Sequence, residues 1–528
     1  MPPAGITMVP LEILLEVGSY LGVADYGAMR LSCRQLERAL FTAFAQAFFR
    51  QMHFMRTDFS LQALIDISKS RFAPFLKHVV IGTELLDPGL FHIPHSALHA
   101  PRRSAANRNI NPEEVKYTIF NTMCANQAFL LNAGHDQQML TEAFSNLDLE
   151  AVGIRAHPVY GPIAPETPMS YGTAKIRRET SIDLRSAASW SSRDDTRANA
   201  VCIYNILSAL ARSGSQPAKF ETSLGGPGLG DDAFIIPQFI HSSVLPSMAK
   251  LKEVDLKVHG SSTRYRRIIS PDTPSPHILE TYNLRQFLSF LPNLERLRLK
   301  LVFNYDGFFE WLGSSRTREY KGQADFAPPS SPQFESLREL ELTRCKMSTE
   351  HLIRIIRKFA CSLQKLSLHD ITLTSDKPQD NIGEELRESA WVTFISALAR
   401  YGENLTEVRI TSPLERLSVD ERLLEFRDGV NTSREAKCVG TDLRKDLMAL
   451  RDKIHPHRLE WESDELNSEE SDHEQDDEEF LDQDIDAYDD YDYDDNYDDY
   501  WGIDDVYDDL HELEGHIQDE LMMAALFH

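Results

Sequence analysis

Five copies of one leucine-rich pattern, L-x-x-L-x-L or a conservative variant, constrain the fold of this chain more than any other feature. The copies are 43, 43, 26 and 42 residues apart and begin at Leu251, Leu294, Leu337, Leu363 and Leu405. Apolar segments with helical spacing precede most copies, for example 351–359 and 391–399. Strands that alternate with helices pair in parallel, and each strand–helix unit buries its apolar side on the next. The pattern therefore predicts an α/β solenoid.

The repeats resemble degenerate leucine-rich repeats, with weaker copies at 147–149 and 220–224. We assign them to residues 136–460. An ordinary α/β domain with leucine-rich strands is the alternative. Long polar insertions separate the units, and loops of this length are usually functional or disordered. The insertions are rich in Pro, Ser, Gly and Arg and cover 88–114, 153–200, 260–281 and 313–334.

The formal net charge of −27 is concentrated at the C-terminus. From Glu462 to His528 there are 29 Asp and Glu and no Lys or Arg, whereas the rest of the chain has 55 basic and 53 acidic residues, a net charge of +2. Such an acidic segment cannot bury a core, so we predict a disordered acidic tail over 461–528. A neutral body argues against nucleic-acid binding, which needs a basic footprint. We expect the tail to compete with acidic ligands for basic residues at 264–267 and 296–300.

Several features favour a cytoplasmic and/or nuclear protein that does not contact membranes. The first basic residue is Arg30, so the positively charged start of a signal peptide is missing. No apolar run approaches the ~18 residues that would span a bilayer. The six cysteines include no C-x-x-C pair and are interpreted as reduced thiols.

Residues 8–50 predict three short and very apolar helices. Pro10 suits the first turn of a helix, where its missing N–H is tolerated. Gly22 ends this helix, and Asp25 can cap a second one. A third helix has apolar residues four apart, at Leu36, Leu40, Phe44 and Phe48. So small a unit cannot bury all its apolar surface, and we expect it to dock on a partner. The alternative is that the apolar residues four apart simply face the core of this protein.

The order of residues in this region resembles the F-box. The run V-P-L-E-I-L-L-E-V-G-S-Y-L at 9–21 resembles the first F-box helix, and R-L-S-C-R at 30–34 resembles its R-x-x-C-R element. Val9, Tyr26 and Gln35-Leu36 depart from the usual residues. Residues 40–82 further resemble the F-box proteins that are abundant in filamentous fungi. We assign 8–50 to the F-box and 51–135 to a helical linker region.

This resemblance implies a partner and a set of contacts. An F-box binds a Skp-type adaptor, which links it to a cullin scaffold in an SCF ubiquitin ligase. The adaptor-binding residues that the resemblance implies are Val9, Pro10, Leu11, Glu12, Ile13, Val17, Leu21, Leu31 and Cys33.

The polar positions between the leucines of each repeat should share one face of the parallel sheet. Acidic and basic strands alternate along the chain. One interpretation is cross-strand charge pairing, and exposed pairs of this kind contribute only ~0–1 kcal/mol each. The other is a surface that recognises a protein substrate, for which the candidate residues are Arg296, Arg298, Lys300, Lys365 and His369.

Motifs for catalysis or metal binding are sparse. A glycine-rich run at 225–230 is followed by Asp231 and Asp232, whereas a phosphate-binding loop needs Lys and Ser or Thr, so a surface loop is favoured. The histidines at 92, 95 and 99 have ligand-like spacing, but prolines around them break the helix that would align them. We predict no catalytic residue, no metal and no cofactor.

The sequence therefore favours a substrate-recognition subunit of an SCF-type ubiquitin ligase, which is not itself an enzyme. The alternative is a repeat scaffold without ligase activity whose acidic tail binds basic nuclear proteins. Leucine-rich repeats with an acidic tail also resemble the activators of the Ran GTPase, but those have shorter and more regular repeats. Adaptor binding separates the first hypothesis from the other two.

Overall fold

Strands that pair in the order of the chain form the centre of the protein. The computed structural model describes residues 6–90, 112–156, 169–184, 195–224, 228–258, 281–301, 306–314, 329–374, 389–416, 421–428, 431–440 and 442–456. The helices within them are α1 (Leu11–Ser19), α2 (Val23–Leu31), α3 (Arg34–Phe48), α4 (Asp58–Ser68), α5 (Pro112–Asn132), α6 (His135–Phe144), α7 (Thr173–Thr180), α8 (Asp195–Ser213), α9 (His241–Met248), α10 (Tyr282–Ser289), α11 (Asp306–Gly313), α12 (Thr349–Phe359), α13 (Ala390–Tyr401) and α14 (Leu443–Arg451). The strands are β1 (Gln51–Met55), β2 (His78–Gly82), β3 (Ala151–Ala156), β4 (Lys219–Leu224), β5 (Glu253–Val258), β6 (Arg296–Leu301), β7 (Glu339–Thr343), β8 (Lys346–Ser348), β9 (Lys365–His369), β10 (Thr372–Thr374), β11 (Glu407–Thr411), β12 (Leu414–Arg416), β13 (Glu421–Asp428), β14 (Asn431–Ser433), β15 (Glu435–Val439) and β16 (Ile454–Pro456).

The larger sheet has ten strands, in the spatial order β1-β2-β3-β4-β5-β6-β7-β9-β11-β15. All pairs from β1 to β11 are parallel, and β15 closes the series in the antiparallel direction. Parallel neighbours need a crossover connection, which the intervening helices supply. The predicted α/β class with parallel strands is therefore confirmed.

The predicted repeats coincide with β5, β6, β7, β9 and β11. Burial alternates along each of these strands, so the leucine, valine and isoleucine side chains lie on one side and the polar residues on the other. On β6, for example, Leu297 and Leu299 are buried, whereas Arg296 and Arg298 are only partly covered. The period of two expected for a half-buried strand is thus present in the structure.

A second, smaller sheet contains parallel strands in the same spatial order as the strands of the large sheet that precede them in the chain. Its parallel strands β8, β10 and β12 follow β7, β9 and β11, and β13 extends the sheet in the antiparallel direction. Between the two sheets the chain turns at Arg344, Asp370 and Ser412, whose φ angles are 53°, 51° and 48°. Three successive units therefore make the same left-handed turn directly after the long strand.

One hydrophobic core runs through the described residues from Leu14 to Ile454. The leucine side of the sheet packs on helices such as α12, whose Leu352, Ile355 and Ile356 are buried. A smaller cluster around Phe120 and Ile176 lies near the β1 end of the sheet. No helix of the described residues is both long enough and apolar enough to cross a bilayer.

The predicted division of the chain needs one correction. Residues 51–135 are not only a helical linker, because β1 and β2 in this region are part of the large sheet and pair with β3. Each of these two strands is only five residues long, and α4 lies between them. The predicted tail over 461–528 lies outside the described residues.

Candidate protein-docking surfaces

The first three helices pack closely on one another. Leu14 and Gly18 are the buried residues of α1. A methyl group at Gly18 would lie 2.9 Å from Cζ of Tyr26, so the missing side chain lets α1 approach α2. Tyr26 in turn meets Phe44 and Phe48 of α3 edge to face, with ring centroids 5.5 and 5.9 Å apart. Such aromatic pairs stabilise the helix contacts beyond their buried area.

A buried cation joins α2 to α3. Arg30 is completely buried, donates to Glu37 at 2.6 Å and lies 4.6 Å from the ring centroid of Phe44. Arg71 pairs with the other oxygen of Glu37. Burial lowers the pKa of Arg30, and the Glu37 carboxylate opposes this effect. The first Arg of the R-x-x-C-R element thus has a structural role in this unit.

The Cys of the same element begins α3. The Sγ of Cys33 accepts a hydrogen bond from the backbone N–H of Leu36 at 3.5 Å, in the position of an N-cap. An N-cap satisfies one of the N–H groups that a helix start leaves without an intrahelical partner. Cys33 was predicted as an adaptor contact, but its sulfur is directed to its own helix.

The outer side of the N-terminal segment is apolar and exposed. Half of the twelve large hydrophobic side chains that are exposed among the described residues fall within 6–20. They are Ile6, Met8, Leu11, Ile13, Val17 and Tyr20, with exposed fractions from 44% to 79%. Single exposed apolar residues are normal, but such a concentration is typical of a docking surface. We call this set the N-terminal apolar surface.

The predicted adaptor contacts divide into two groups by exposure. Pro10, Leu11, Glu12, Ile13 and Val17 are exposed, whereas Val9, Leu21, Leu31 and Cys33 are half-buried. Sequence reasoning missed Ile6, Met8 and Tyr20 as parts of the exposed surface. Ile6 and Met8 precede α1, so no helical spacing could indicate that they lie on the exposed side.

The polar side of the large sheet is arranged in three rows that run across the strands. The first row is Glu253, Arg296, Glu339, Lys365 and Glu407; the second is Asp255, Arg298, Glu341, Ser367 and Arg409; the third is Lys257, Lys300, Thr343, His369 and Thr411. Each row joins residues that are directly opposite one another on neighbouring strands. The five candidate substrate contacts therefore share one face but belong to different rows.

The first two rows are ladders of opposite charge. Arg296 lies between Glu253, at 2.8 Å, and Glu339, to which it also donates. Lys365 reaches Glu339 at 3.2 Å from the other side. The hydrogen bond to Glu339 raises the pKa of Arg296. Cross-strand pairing therefore accounts for these two predicted cations.

Arg298 is placed in the same way in the second row. Its guanidinium lies 3.9 Å from Asp255 and 3.0 Å from Glu341, on the two flanking strands. At the edge of the sheet, Arg409 pairs with Glu435 of β15 at 3.2 Å. The pairing interpretation of the sequence therefore holds for Arg296, Arg298 and Lys365, while Lys300 and His369 belong to the third row.

A buried polar cluster lies beyond the carboxyl ends of β1, β2 and β3. Arg56 and Asp136 are both almost completely buried and 3.8 Å apart, and Asn205 donates to Asp136 at 2.8 Å. Glu84 accepts a hydrogen bond from Ser170 at 2.6 Å. No local pattern indicated these residues, since they are separated by up to 149 positions in the chain. Burial, with the charge of Arg155 as the next cause, lowers the pKa of nearby His53 to about 4.

Asp231, next to the glycine-rich run, has a structural role. Its carboxylate accepts hydrogen bonds from the backbone N–H groups of Asn283 and Leu284, at 3.1 and 2.9 Å, at the start of α10. A carboxylate at this helix start fills the position that a phosphate would take. The part of the glycine-rich run at 225–227 lies outside the described residues.

The described residues contain no group of three or more His, Cys, Asp or Glu side chains that could hold a metal ion. The histidines at 92, 95 and 99 lie outside those residues. All six cysteines lie within them, and none is in a disulfide. Comparison with protein-family models gives no match, and comparison with curated proteins gives none either.

Proposed function

We propose that this chain is the substrate-recognition subunit of an SCF-type ubiquitin ligase, with residues 8–50 as its F-box. The observation that carries the proposal is the N-terminal apolar surface on a closely packed helical unit. Ile13 and Val17 are 53% and 45% exposed. Because they are residues i and i+4 of one helix, they lie next to each other on the same side of it. An adaptor that covers them would bury apolar area without a large rearrangement.

The rest of the chain would hold the substrate. The strands β5, β6, β7, β9 and β11, each in the same register with its neighbours, support a leucine-rich-repeat-like solenoid with a polar binding face. Ubiquitin transfer would be catalysed by a conjugating enzyme that the cullin scaffold brings close to the bound substrate. The chain itself would need no cofactor.

A second function is a repeat scaffold whose acidic residues bind basic nuclear proteins. The 29 Asp and Glu of 462–528, without one Lys or Arg, favour it. Such a scaffold needs no adaptor, and nothing in that function requires Ile13 and Val17 to be exposed. Adaptor binding therefore distinguishes the two functions.

The test is co-purification of the full chain with a Skp-type adaptor, using the double variant Ile13→Lys/Val17→Lys. Two unpaired charges in a buried apolar contact should lower the affinity by about 100-fold or more. The matched control is Ile235→Lys/Phe239→Lys, which places the same charges on two exposed apolar residues elsewhere. Circular dichroism should be unchanged in both variants. Adaptor binding that survives in the first variant would refute the F-box assignment.

A further inference from the structure

A second group of exposed apolar side chains lies next to α9 and α10. Ile235 and Phe239 are 48% and 79% exposed, and Ile240, Leu245 and Phe290 are half-buried. Monomeric proteins rarely leave such a group uncovered without a use for it. We call these five residues the α9–α10 apolar surface.

The segment that carries this surface is held in place by its own contacts. Nε2 of His241 donates to the carbonyl oxygen of Ile236 at 2.8 Å, and the His241 ring lies 5.2 Å from the ring of Phe290. Asp231 is joined to the start of α10 by the hydrogen bonds described above. A ligand would therefore meet a surface that needs little rearrangement.

This surface is on the leucine side of the large sheet and carries no charge of its own. The ring of Phe287 in α10 lies 6.2 Å from the ring of Phe220 in β4, and Phe220 is a register partner of the buried Val254. Residues 233–249 include no Asp, Glu, Lys or Arg. An apolar ligand could therefore cover the surface without burying an unpaired charge.

The last residues of the chain differ from the acidic run that precedes them. Residues 462–509 contain 25 Asp and Glu, whereas residues 510–528 contain four. Leu510, Leu513, Ile517 and Leu521 are three, four and four positions apart, which predicts an amphipathic helix with one apolar side. In proteins such a helix owes most of its stability to the packing of its apolar side, so it needs a surface to bind.

We infer that residues 510–527 of this chain bind the α9–α10 apolar surface. Two other exposed apolar regions suit this segment less. The N-terminal apolar surface includes the exposed carboxylates of Glu12 and Glu16, which would repel the acidic side chains of the segment. Helix α5 exposes Phe129 and Val115, but these are 14 residues apart, or about 21 Å along the helix.

The segment can reach the α9–α10 apolar surface. The described chain ends at Pro456, and 53 residues separate it from Leu510. A flexible chain of this length has an end-to-end distance of about 40 Å, whereas the five strand spacings from β15 to β5 make about 24 Å. At an effective concentration near ~1 mM, a segment whose free peptide has a Kd of about 0.1 mM would be bound about nine-tenths of the time. Both ends of the acidic run would then be attached to the folded part of the protein.

The experiment replaces Phe239 of the full chain by the photoreactive residue benzoylphenylalanine and identifies the cross-links by mass spectrometry. Cross-links should form within one molecule to peptides from 510–527. Their yield should be at least fivefold higher than from the same replacement at Phe129 or at Tyr20, which are 74% and 79% exposed. A higher or equal yield from either control position would overturn the proposal. So would cross-links between two molecules, because a second copy of the chain would then cover the surface.

A matched pair of variants tests the apolar side of the segment. Ile517→Glu/Leu521→Glu places two charges on that side and should lower the yield from position 239 at least fivefold. His516→Glu/Gln518→Glu adds two glutamates to residues away from that side, and the yield should stay within about twofold. Neither variant changes the described core from Leu14 to Ile454, so misfolding would not explain a difference. Equal yields for the two variants would overturn the proposal.

Discussion

Arg30 of α2 and Glu37 of α3 are joined by a 2.6 Å ion pair although the arginine side chain has no exposed surface. Removing one partner of a buried pair leaves the other charge without compensation. We expect Glu37→Gln to destabilise the helices α1 to α3 by about 3 kcal/mol, since Glu37 also pairs with Arg71. Hydrogen exchange of the amides of α1 to α3 measures the loss.

The control for this variant is Glu16→Gln, which removes a carboxylate from an exposed position of the same unit. Glu16 accepts a hydrogen bond from the exposed Tyr20 at 2.9 Å. Its replacement should change the stability by no more than about 0.5 kcal/mol. Equal exchange rates for the two variants would show that the buried pair does not hold α2 on α3.

The contact between Gly18 and Tyr26 gives a second prediction. A methyl group at position 18 would meet the buried Tyr26 ring at 2.9 Å, so Gly18→Ala should push α1 away from α2 despite the better helix propensity of alanine. We expect a loss of about 1–3 kcal/mol in the unfolding free energy of this unit. The neighbouring, exposed Ser19→Ala is the control. An unchanged or higher stability of Gly18→Ala in urea unfolding would contradict the packing described for α1.

The stability should depend on pH through His53. Burial lowers the pKa of this side chain to about 4 from 6.5, with Arg155 and His78 acting in the same direction and Glu84 and Glu221 against it. Below pH 6.5 the unfolded chain binds a proton that the folded protein does not, so stability is lost as the pH falls from 6.5 to 4. Between pH 7 and pH 5 this group should contribute a loss of about 2 kcal/mol.

Urea unfolding of the protein and of His53→Gln at both pH values checks this prediction. The variant should lose about 2 kcal/mol less than the unchanged protein over this interval. His135→Gln, which replaces an exposed histidine, should behave like the unchanged protein. The same pH dependence in all three proteins would place the titrating group elsewhere.

The ladder around Arg296 should show non-additive energetics. Arg296→Gln leaves Glu253 and Glu339 on either side of an uncharged residue, and we expect a loss of about 1 kcal/mol because the three side chains are partly exposed. In the triple variant with Glu253→Gln and Glu339→Gln, most of this loss should be recovered. Thermal unfolding of the single, double and triple variants gives the coupling energies. Additive effects would mean that these three charged side chains do not stabilise one another.

The sequence predicted the strands whose side-chain alternation is strong. β5, β6, β7, β9 and β11 each have leucine, valine or isoleucine at every second position, and β4 carries the weak copy at 220–224. The three-residue strands β8, β10 and β12 were not predicted, because they are too short for a period. Their place depends on the left-handed residues Arg344, Asp370 and Ser412, which have no common residue type.

The candidate sites were predictable only where neighbouring residues along the chain carry the signal. Ile13 and Val17 could be placed on one side of a helix by their spacing alone. The environment of Arg296 and Lys300 could not be decided, because it depends on which strands pair and in what register. The register places Arg296 between two carboxylates and Lys300 beside Lys257. The signs of the charges along one strand do not show whether a cation lies between two carboxylates or beside another cation.

The sequential order of the strands also sets a length scale. In the large sheet, each strand from β2 to β11 lies beside the strand of that sheet that comes before it in the chain. A residue that comes later in the chain is therefore also further from β1 across the sheet. The third-row lysines are on β5 and β6, four and five spacings from β1, or about 19–24 Å. Inserting one strand–helix unit between β2 and β5 would move them by ~4.8 Å relative to β1, without any change in the residues themselves. The number of repeats, and not only the residue types, thus determines how far the polar side chains of β5 and β6 lie from the first strand.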